Sequence, residues 1–480
     1  MVNNIKIKTS KIILRLINSL KAFLDDLIEA VSGTEQDFTE GSLKRAIILL
    51  SIPAVLEMVM ESVFVIADIY FVSRLGADAV ATVGLTESMM TIIYSISFGL
   101  ATATTSLVSR RIGEKDNESA SRVAVQAILT GTVVALLIGL PGAFFSTQLL
   151  SFMGASDNII RNMSGYTRIM LGGNIVIMLL FIINAIFRSA GDAAVAMRVL
   201  WLGNIINLIL DPCLIFGLGP FPKLGVTGAA IATTTGRGVA VLYQFYLLFM
   251  GKNRIRLSLK SFGIDFRIIG KLMKISLGSI GQNLIVTSSW IFLVRIISVF
   301  GSVVVAGYTI AIRIVSFTLL PSWGLSNAAS TLVGQNLGAG KPERAEKAVL
   351  FAGWVNMILL GIIGLILAIF PSTFIGIFIE DPFVLKSGVE CLRIVSMGYI
   401  AYGFGMVLTN SFNGAGDTST PLKINIFAYW LVEIPLAWIL AIKSGMNEQG
   451  VFLSILISES IMTIVAWFVF RRGKWKLKKV

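Results

Sequence analysis

The chain has 480 residues, 55% of them apolar and 14% charged, with 40 basic against 27 acidic side chains and no histidine. A soluble domain carries about a quarter charged residues, so a mean hydropathy of +0.83 over this length excludes an aqueous fold. The missing histidine excludes His-based triads, HExxH zinc sites and imidazole proton relays, leaving carboxylates to handle protons.

The first 41 residues are a polar extension without a clean signal-peptide core. Within it Ile13, Ile17, Leu20, Leu24, Leu27 and Val31 recur at helical spacing beside Lys11, Arg15 and Lys21. That pattern predicts an amphipathic helix on a membrane surface; a partner-binding tail fits the same composition. Twelve apolar stretches follow, at roughly 46–73, 79–109, 121–145, 160–187, 195–216, 224–250, 268–299, 303–334, 345–370, 384–411, 420–443 and 449–470, each long enough for the roughly 20 residues of a bilayer crossing. The basic segment 251–267 contains no span; its Ile255, Leu257, Leu259 and Phe262 suit a stretch lying along the membrane, and a plain solvated loop fits the segment equally.

An even number of spans puts both termini on one side. That side collects 30 Lys and Arg, and the other only Arg74, Arg161, Lys223, Lys386 and Lys443. The positive-inside rule assigns the crowded side, with both termini, to the cytoplasm of a cell membrane. It also accounts for the net charge of +13 without a nucleic-acid partner. Cys213 and Cys391 lie in apolar spans of different halves and are expected as small buried hydrophobes.

An offset of 225 aligns the two halves. Gly99-Leu100-Ala101-Thr102-Ala103 answers to Gly324-Leu325-Ser326-Asn327-Ala328, Gly113 to Gly338, Arg168 to Arg393, Ala190-Gly191-Asp192 to Ala415-Gly416-Asp417, and Gly225-Val226 to Gly450-Val451. Six spans per half give both halves one orientation. The predicted fold is an all-α membrane protein of twelve transmembrane helices, two parallel six-helix repeats related by a pseudo-twofold along the membrane normal, with a site between them. Its expected parts are the extension 1–41, a lobe 42–250, a cytoplasmic linker 251–267, a lobe 268–472 and a basic tail 473–480.

The segments Leu50-Ser51-Ile52-Pro53, Ile66-Ala67-Asp68, Gly84-Leu85, Arg111-Ile112-Gly113, Arg188-Ser189-Ala190-Gly191-Asp192 and Leu210-Asp211-Pro212, taken in order with the duplication, resemble the multidrug and toxic compound extrusion (MATE) family. The likeness runs from about residue 42 to 472.

An acid at the bilayer centre costs about 2.5–3.5 kcal/mol on insertion scales, so each needs a reason. The first span carries Glu57, Glu61 and Asp68. At 100° per residue Glu61 lies about 40° and Asp68 about 20° from Glu57, so all three share an inward face. Buried contacts to neighbouring helices account for such acids as well as function does. Asn207 and Asp211 share a face of the fifth span, followed by Pro212, which frees backbone carbonyls. Thr233 is in the sixth. Two carboxylates, an amide carbonyl and a hydroxyl suit Na⁺ better than a soft metal; the same carboxylates brought together also suit a proton.

Spacing does not bring these four together; the resemblance implies it, assigning Asp68, Asn207, Asp211 and Thr233 to a cation-coupling site and Pro53 to bending of the first helix. Glu57, Glu61, Asn184 and Glu433 are the candidates for lining the substrate cavity, although a structural contact beside Pro435 also explains Glu433. A family branch with acids in the seventh and tenth spans is not matched, which favours coupling through the first lobe. Met58, Met60, Met89, Met90, Phe64, Tyr94, Trp290 and Trp323 suit an adaptable cavity, and helix packing explains most of them. Arg168 and Arg393 read as snorkelling side chains, Asp192 and Asp417 as turn residues, and Arg110, Arg111 and Lys115 as orientation or headgroup charges.

The implied activity is secondary active efflux of small amphipathic or cationic organic compounds by H⁺- or Na⁺-coupled antiport, with alternating access between lobes. The expected protein is a monomer among lipids, not an enzyme, and has no cofactor. A lipid-linked precursor flippase of the same superfamily and an ion channel are the rivals. The flippase predicts a larger basic cavity, the channel an uncoupled conductance.

Overall fold

A computed structural model of the chain describes residues 24–33, 36–250, 254–257 and 263–480. The first helix, α1, covers 24–32, so the Leu24–Val31 part of the expected amphipathic helix is helical; Lys11 to Lys21 lie outside the described residues. The first lobe contains α2 (Leu43–Ser73), α3 (Ala77–Gly113), α4 (Asn117–Phe144), the short α5 (Ser146–Phe152) and α6 (Asp157–Asn162), the consecutive α7 (Ser164–Gly172) and α8 (Asn174–Ala190), α9 (Ala193–Phe216) and α10 (Val226–Met250). The second contains α11 (Phe266–Ile297), α12 (Ser302–Gly338), α13 (Pro342–Ile369), the short α14 (Pro371–Gly376), α15 (Pro382–Met397), α16 (Tyr399–Gly414), α17 (Ser419–Asn425), α18 (Ile434–Trp438) and α19 (Asn447–Arg471).

Among the described residues ten helices or helix runs have the length and apolarity of a crossing, and α15 with α16, bent by 54°, forms an eleventh. The twelfth is α10, whose 25 residues reach about 37 Å at 1.5 Å per residue but include Arg237 and Gln244. Short polar turns stop the helices and cap the next. Asp116, Asp192, Asp265 and Asp381 each accept a bond from a backbone N–H one turn on, satisfying donors a helix start leaves open. Asp192 is thus the turn residue expected. Asp417 also sits in its turn, accepting from Ser419 and Thr420 at 2.9 and 2.7 Å.

The duplication is visible in helix lengths: α3 and α12 have 37 residues each, α4 and α13 have 28 each. The offset fails at the last helix. A Cβ on Gly228 would lie 2.5 Å from the Leu214 carbonyl oxygen, and one on Gly450 would lie 2.5 Å from the Leu440 carbonyl carbon. Gly450 therefore takes the place of Gly228, not of Gly225. The cause is a shorter turn before α19, residues 444–446 against 217–225 before α10.

The repeats meet where α3 and α12 cross. A Cβ added to Gly113 would lie 1.9 Å from the Gln335 carbonyl oxygen, and one added to Gly338 would lie 2.1 Å from that of Arg110. Each repeat thus lays its backbone on the other's at the end from which α2 starts and at which α19 stops. Packing this close needs glycine. Ala46, Ile47 and Leu50 of α2 share a core with Leu325, Leu332 and Val333 of α12, which thickens the same closed end.

Of the linker, Ile255 and Leu257 are 1% and 5% exposed and belong to the first lobe's core, so they fold onto protein and do not lie along lipid. Leu259 and Phe262 are outside the described residues. Gln126 pins the linker's end, donating to the Gly263 carbonyl at 2.7 Å and accepting from the Asp265 N–H at 3.1 Å. Cys213 and Cys391 are free thiols.

Candidate functional site

The first lobe surrounds a cavity of about 650 Å³ lying towards the end away from the α3–α12 crossing. The inward face of α2 supplies Glu57, Glu61 and Asp68, α3 supplies Glu87 and Tyr94, α8 supplies Asn184, and α10 supplies Thr233 and Arg237; Arg313 and Phe317 reach it from α12 of the other lobe. Helical phase predicts the grouping on α2, and the structure brings all of these residues to one space.

They are held differently. Glu57 is 3% exposed and accepts both oxygens' bonds from Arg188 Nη1 at 2.9 and 3.0 Å, with Asn184 Nδ2 adding 3.0 Å. Gln244 in turn donates to Asn184 Oδ1 at 2.6 Å. Glu61 accepts from Arg237 at 3.0 Å and from Asn204 at 3.2 Å. The Arg237 guanidinium also lies over the Phe64 ring at 5.1 Å, a cation–π contact. Two of the three α2 acids are thus neutralised by internal arginines.

Asp68 is not. Its Oδ1 is buried without a hydrogen-bond partner, as are Asn207 Oδ1 and Asp211 Oδ2. Asn207 Nδ2 bonds Thr233 Oγ1 at 3.1 Å and approaches Asp211 Oδ1 at 3.4 Å, and Asp68 lies within electrostatic reach of Asp211. Asp211 and Asn207 are 0% and 2% exposed. Of the four residues that the family resemblance groups, Asp68 and Thr233 line the cavity, and Asn207 and Asp211 are buried behind Thr233. Among the described residues no group of three or more His, Cys, Asp or Glu is placed to hold a metal ion.

Glu433 lies elsewhere. The eleventh span is π-helical over Ile426–Glu433 and Ile439–Lys443 on either side of Pro435, and Glu433, 1% exposed, lines a small chamber inside the second lobe. Trp290 and Trp323 line a second cavity, of about 400 Å³. Met58, Phe64 and Tyr94 line the first. Pro53 is inside α2, which continues as one helix to Ser73.

Several polar residues escape the sequence reading. Arg188 lies just past the end of an apolar stretch, yet it reaches inward to Glu57. Arg110 is 9% exposed and donates to the Lys478 carbonyl, so it is not a headgroup contact. Glu87, Arg237 and Glu459 are mid-span charges, and Glu459 is a second intramembrane acid in the half that holds Glu433. The signal for all three is the one used for Asp68: a charge far from either end of an apolar run.

A family model described as MatE matches residues 53–213 and again 279–439, one match per repeat. A probable multidrug resistance protein of Bacillus subtilis is 25% identical over 452 residues, covering 93% of this chain and 97% of that protein. A FAD transporter of Shewanella oneidensis is 29% identical over 430 residues, covering 89% and 94%. Among solved structures, the outward-facing conformation of a multidrug resistance MATE family transporter superposes with a TM-score of 0.86 at 27% identity, covering 92% of this chain and 98% of that one. A MATE structure in the bent conformation gives 0.85 over 93% and 98%.

Proposed function

The chain belongs to the MatE family of membrane transporters, and on that premise we propose that it exports small amphipathic or cationic organic compounds in exchange for H⁺ or Na⁺. The observation that carries this reading is the set of three unpartnered buried oxygens on Asp68, Asn207 and Asp211 beside a cavity that helices of both lobes line. Buried polar oxygens are normally paired, and hard oxygen donors left open suit a small cation. Asp68, Asn207, Asp211 and Thr233 are the proposed coupling residues, with Pro53 in the helix that carries Asp68.

The lobes, taken as 42–250 and 268–472 and joined by 251–267, alternate about the cavity. A cation shifts the balance between two forms only through a difference in affinity for them. The closed crossing at Gly113 and Gly338 with a cavity towards the opposite end supports a form open to the outside, once the basic side bearing both termini is assigned to the cytoplasm. With Glu57 paired to Arg188 and Glu61 to Arg237, Asp68 and Glu87 against Arg313 leave the lining one acid in surplus, which favours a cationic substrate over an anionic flavin nucleotide of the kind one relative's name implies. The same surplus is the opposite of the basic cavity that a flippase predicts. The transporter works as a monomer in lipid and needs no bound cofactor.

Efflux of a fluorescent organic cation from proteoliposomes, under separately imposed Na⁺ and H⁺ gradients, tests this. Asp68→Asn and Asp211→Asn are expected to abolish gradient-driven efflux while leaving the protein folded. Unchanged efflux in both variants refutes the coupling site, and conductance that needs no gradient coupling replaces the antiporter by a channel.

A further inference from the structure

The offset of 225 that relates the repeats also pairs the linings of the two cavities. Gln282 answers to Glu57 and Asn413 to Arg188, and the structure joins each pair in the same way. Glu57 accepts from Arg188 at 2.9 and 3.0 Å, while Gln282 and Asn413 exchange amide bonds of 3.0 and 3.2 Å. The second repeat keeps the contact and drops both charges. Val286, Leu293 and Ile312 answer to Glu61, Asp68 and Glu87, so every acid of the first cavity has a neutral counterpart. No Asp, Glu, Lys or Arg lines the cavity of about 400 Å³. Glu433 and Glu459 line the separate small chamber, and Tyr429, which lines both spaces, donates to Glu459 at 3.2 Å.

Carboxamides take the place of the charges. Gln282, Asn283, Asn327, Asn410, Asn413 and Asn425 all line the cavity. Four of them form a bonded chain: Asn410 donates to Asn327 at 3.1 Å, and Gln282, bonded to Asn413, also donates to the Thr418 carbonyl at 2.9 Å. Asn283 and Thr287, one turn apart on α11, and Asn425 on α17 are different. Their side chains line the cavity and make no hydrogen bond among the described residues. A carboxamide offers both donors and an acceptor, and Trp290, Trp323 and Phe98 add ring faces, the last two 5.9 Å apart. A charged group entering here loses its hydration and gains no counter-ion. A neutral ring bearing hydroxyl, carbonyl or carboxamide groups finds donors, acceptors and stacking partners. Phe98 and Leu320 line both cavities, so the charged and the uncharged space adjoin.

We propose that the amide-lined cavity is a second substrate subsite, which takes the uncharged, hydrogen-bonding aromatic part of a compound whose cationic end sits among the acids of the first. The inference rests on the export reading above and narrows its substrate class. Preferred compounds join an ammonium group to a neutral ring system that carries hydroxyl, carbonyl or carboxamide groups, and a cation with bare hydrocarbon rings fills only the first cavity well.

The test is equilibrium binding of two probes to the full chain in lipid nanodiscs, with binding to empty nanodiscs subtracted. Doxorubicin joins an ammonium group to a hydroxylated anthraquinone; tetraphenylphosphonium is a cation whose rings carry no hydrogen-bonding group. Asn283→Leu and Thr287→Val remove groups that have no partner among the described residues, so neither leaves a broken bond behind. A site built to bond polar groups loses its preference for them when its own polar groups go. Each substitution is therefore expected to lower the affinity ratio of doxorubicin to tetraphenylphosphonium by about fivefold or more. A ratio that both variants leave unchanged, in protein that binds both probes, overturns the subsite and leaves the export reading standing. Wild-type protein that binds only tetraphenylphosphonium does the same. Wild-type protein that binds neither probe refutes the export of organic cations, and the subsite falls with it.

Discussion

Arg237 is 4% exposed in a helix that crosses the membrane, with Glu61 at 3.0 Å as its ion-pair partner among the described residues. Removing one member of a buried pair leaves the other charge uncompensated and costs about 3–5 kcal/mol, whereas replacing both by apolar or neutral groups is often near neutral. Arg237→Met is therefore expected to lower the thermal unfolding midpoint in detergent sharply, and Glu61→Gln/Arg237→Met to recover at least half the loss. A single variant as stable as wild type would refute the buried-pair account. The acids of this network were legible in the sequence because a carboxylate inside an apolar run stands out, and the helical phase of Glu57, Glu61 and Asp68 was legible with them. Their partners were not. Arg188 lies at a span's end, where periodicity cannot tell a side chain that points to water from one that turns inward to Glu57, and the approach of Asp68 to Asp211 came from family likeness alone.

At the scale of helices, the crossing of α3 and α12 depends on two small residues. Inserting atoms into packing this tight costs about 1–3 kcal/mol, and here the obstacle is backbone carbonyl, which cannot rotate away. Gly113→Val and Gly338→Val are each expected to reduce efflux more than tenfold, since the closed form no longer closes. Gly376→Ala, with nothing within 4 Å of the added carbon, is expected to leave efflux unchanged; equal effects at all three positions would refute a role specific to the crossing. The repeat that contains Gly113 and Gly338 was legible as a constant offset, but an offset says which residues correspond and not which touch. The same limit misaligned Gly450. The shortened turn before α19 changes the register by a few residues, and a chance Gly-Val match hid the change. The bend of the tenth span was not foreseen, and the π-helical eleventh was anticipated only through the contact expected beside Pro435.

Across the whole molecule, two chain segments cross between lobes at the end that the crossing closes. Residues 36–41 lie between the α8–α9 turn and the start of α13: a Cβ on Gly191 would meet the Phe38 ring at 3.0 Å, and Arg344 donates to the Gly41 and Glu40 carbonyls at 3.0 and 2.8 Å. Residues 473–480 leave the second lobe with Trp475 stacked on Phe470 at 4.9 Å and Lys476 paired with Glu343 and Glu346, then reach α3 where Arg110 donates to the Lys478 carbonyl. Lys478 also pairs with Asp417 at 3.2 Å. Burial pushes the Asp417 carboxyl up, but bonds from Thr420 and Ser419 and the Lys478 ammonium prevail and hold it below the ordinary aspartate value. Its contribution is therefore complete above that ordinary value and is lost only as pH falls through the lower folded one, so the strap persists throughout neutral pH. In the proposed alternating-access cycle this end must open, and every contact that crosses it weighs the balance towards the closed form. Deleting residues 473–480 is expected to raise the labelling rate of a Ser189→Cys probe, buried at the crossing, at least tenfold in a background free of Cys213 and Cys391. Trp475→Ala should act in the same direction and by less, because the ion pairs remain. A labelling rate unchanged by the deletion, in protein that still binds substrate, assigns the strap to folding and removes it from the transport cycle.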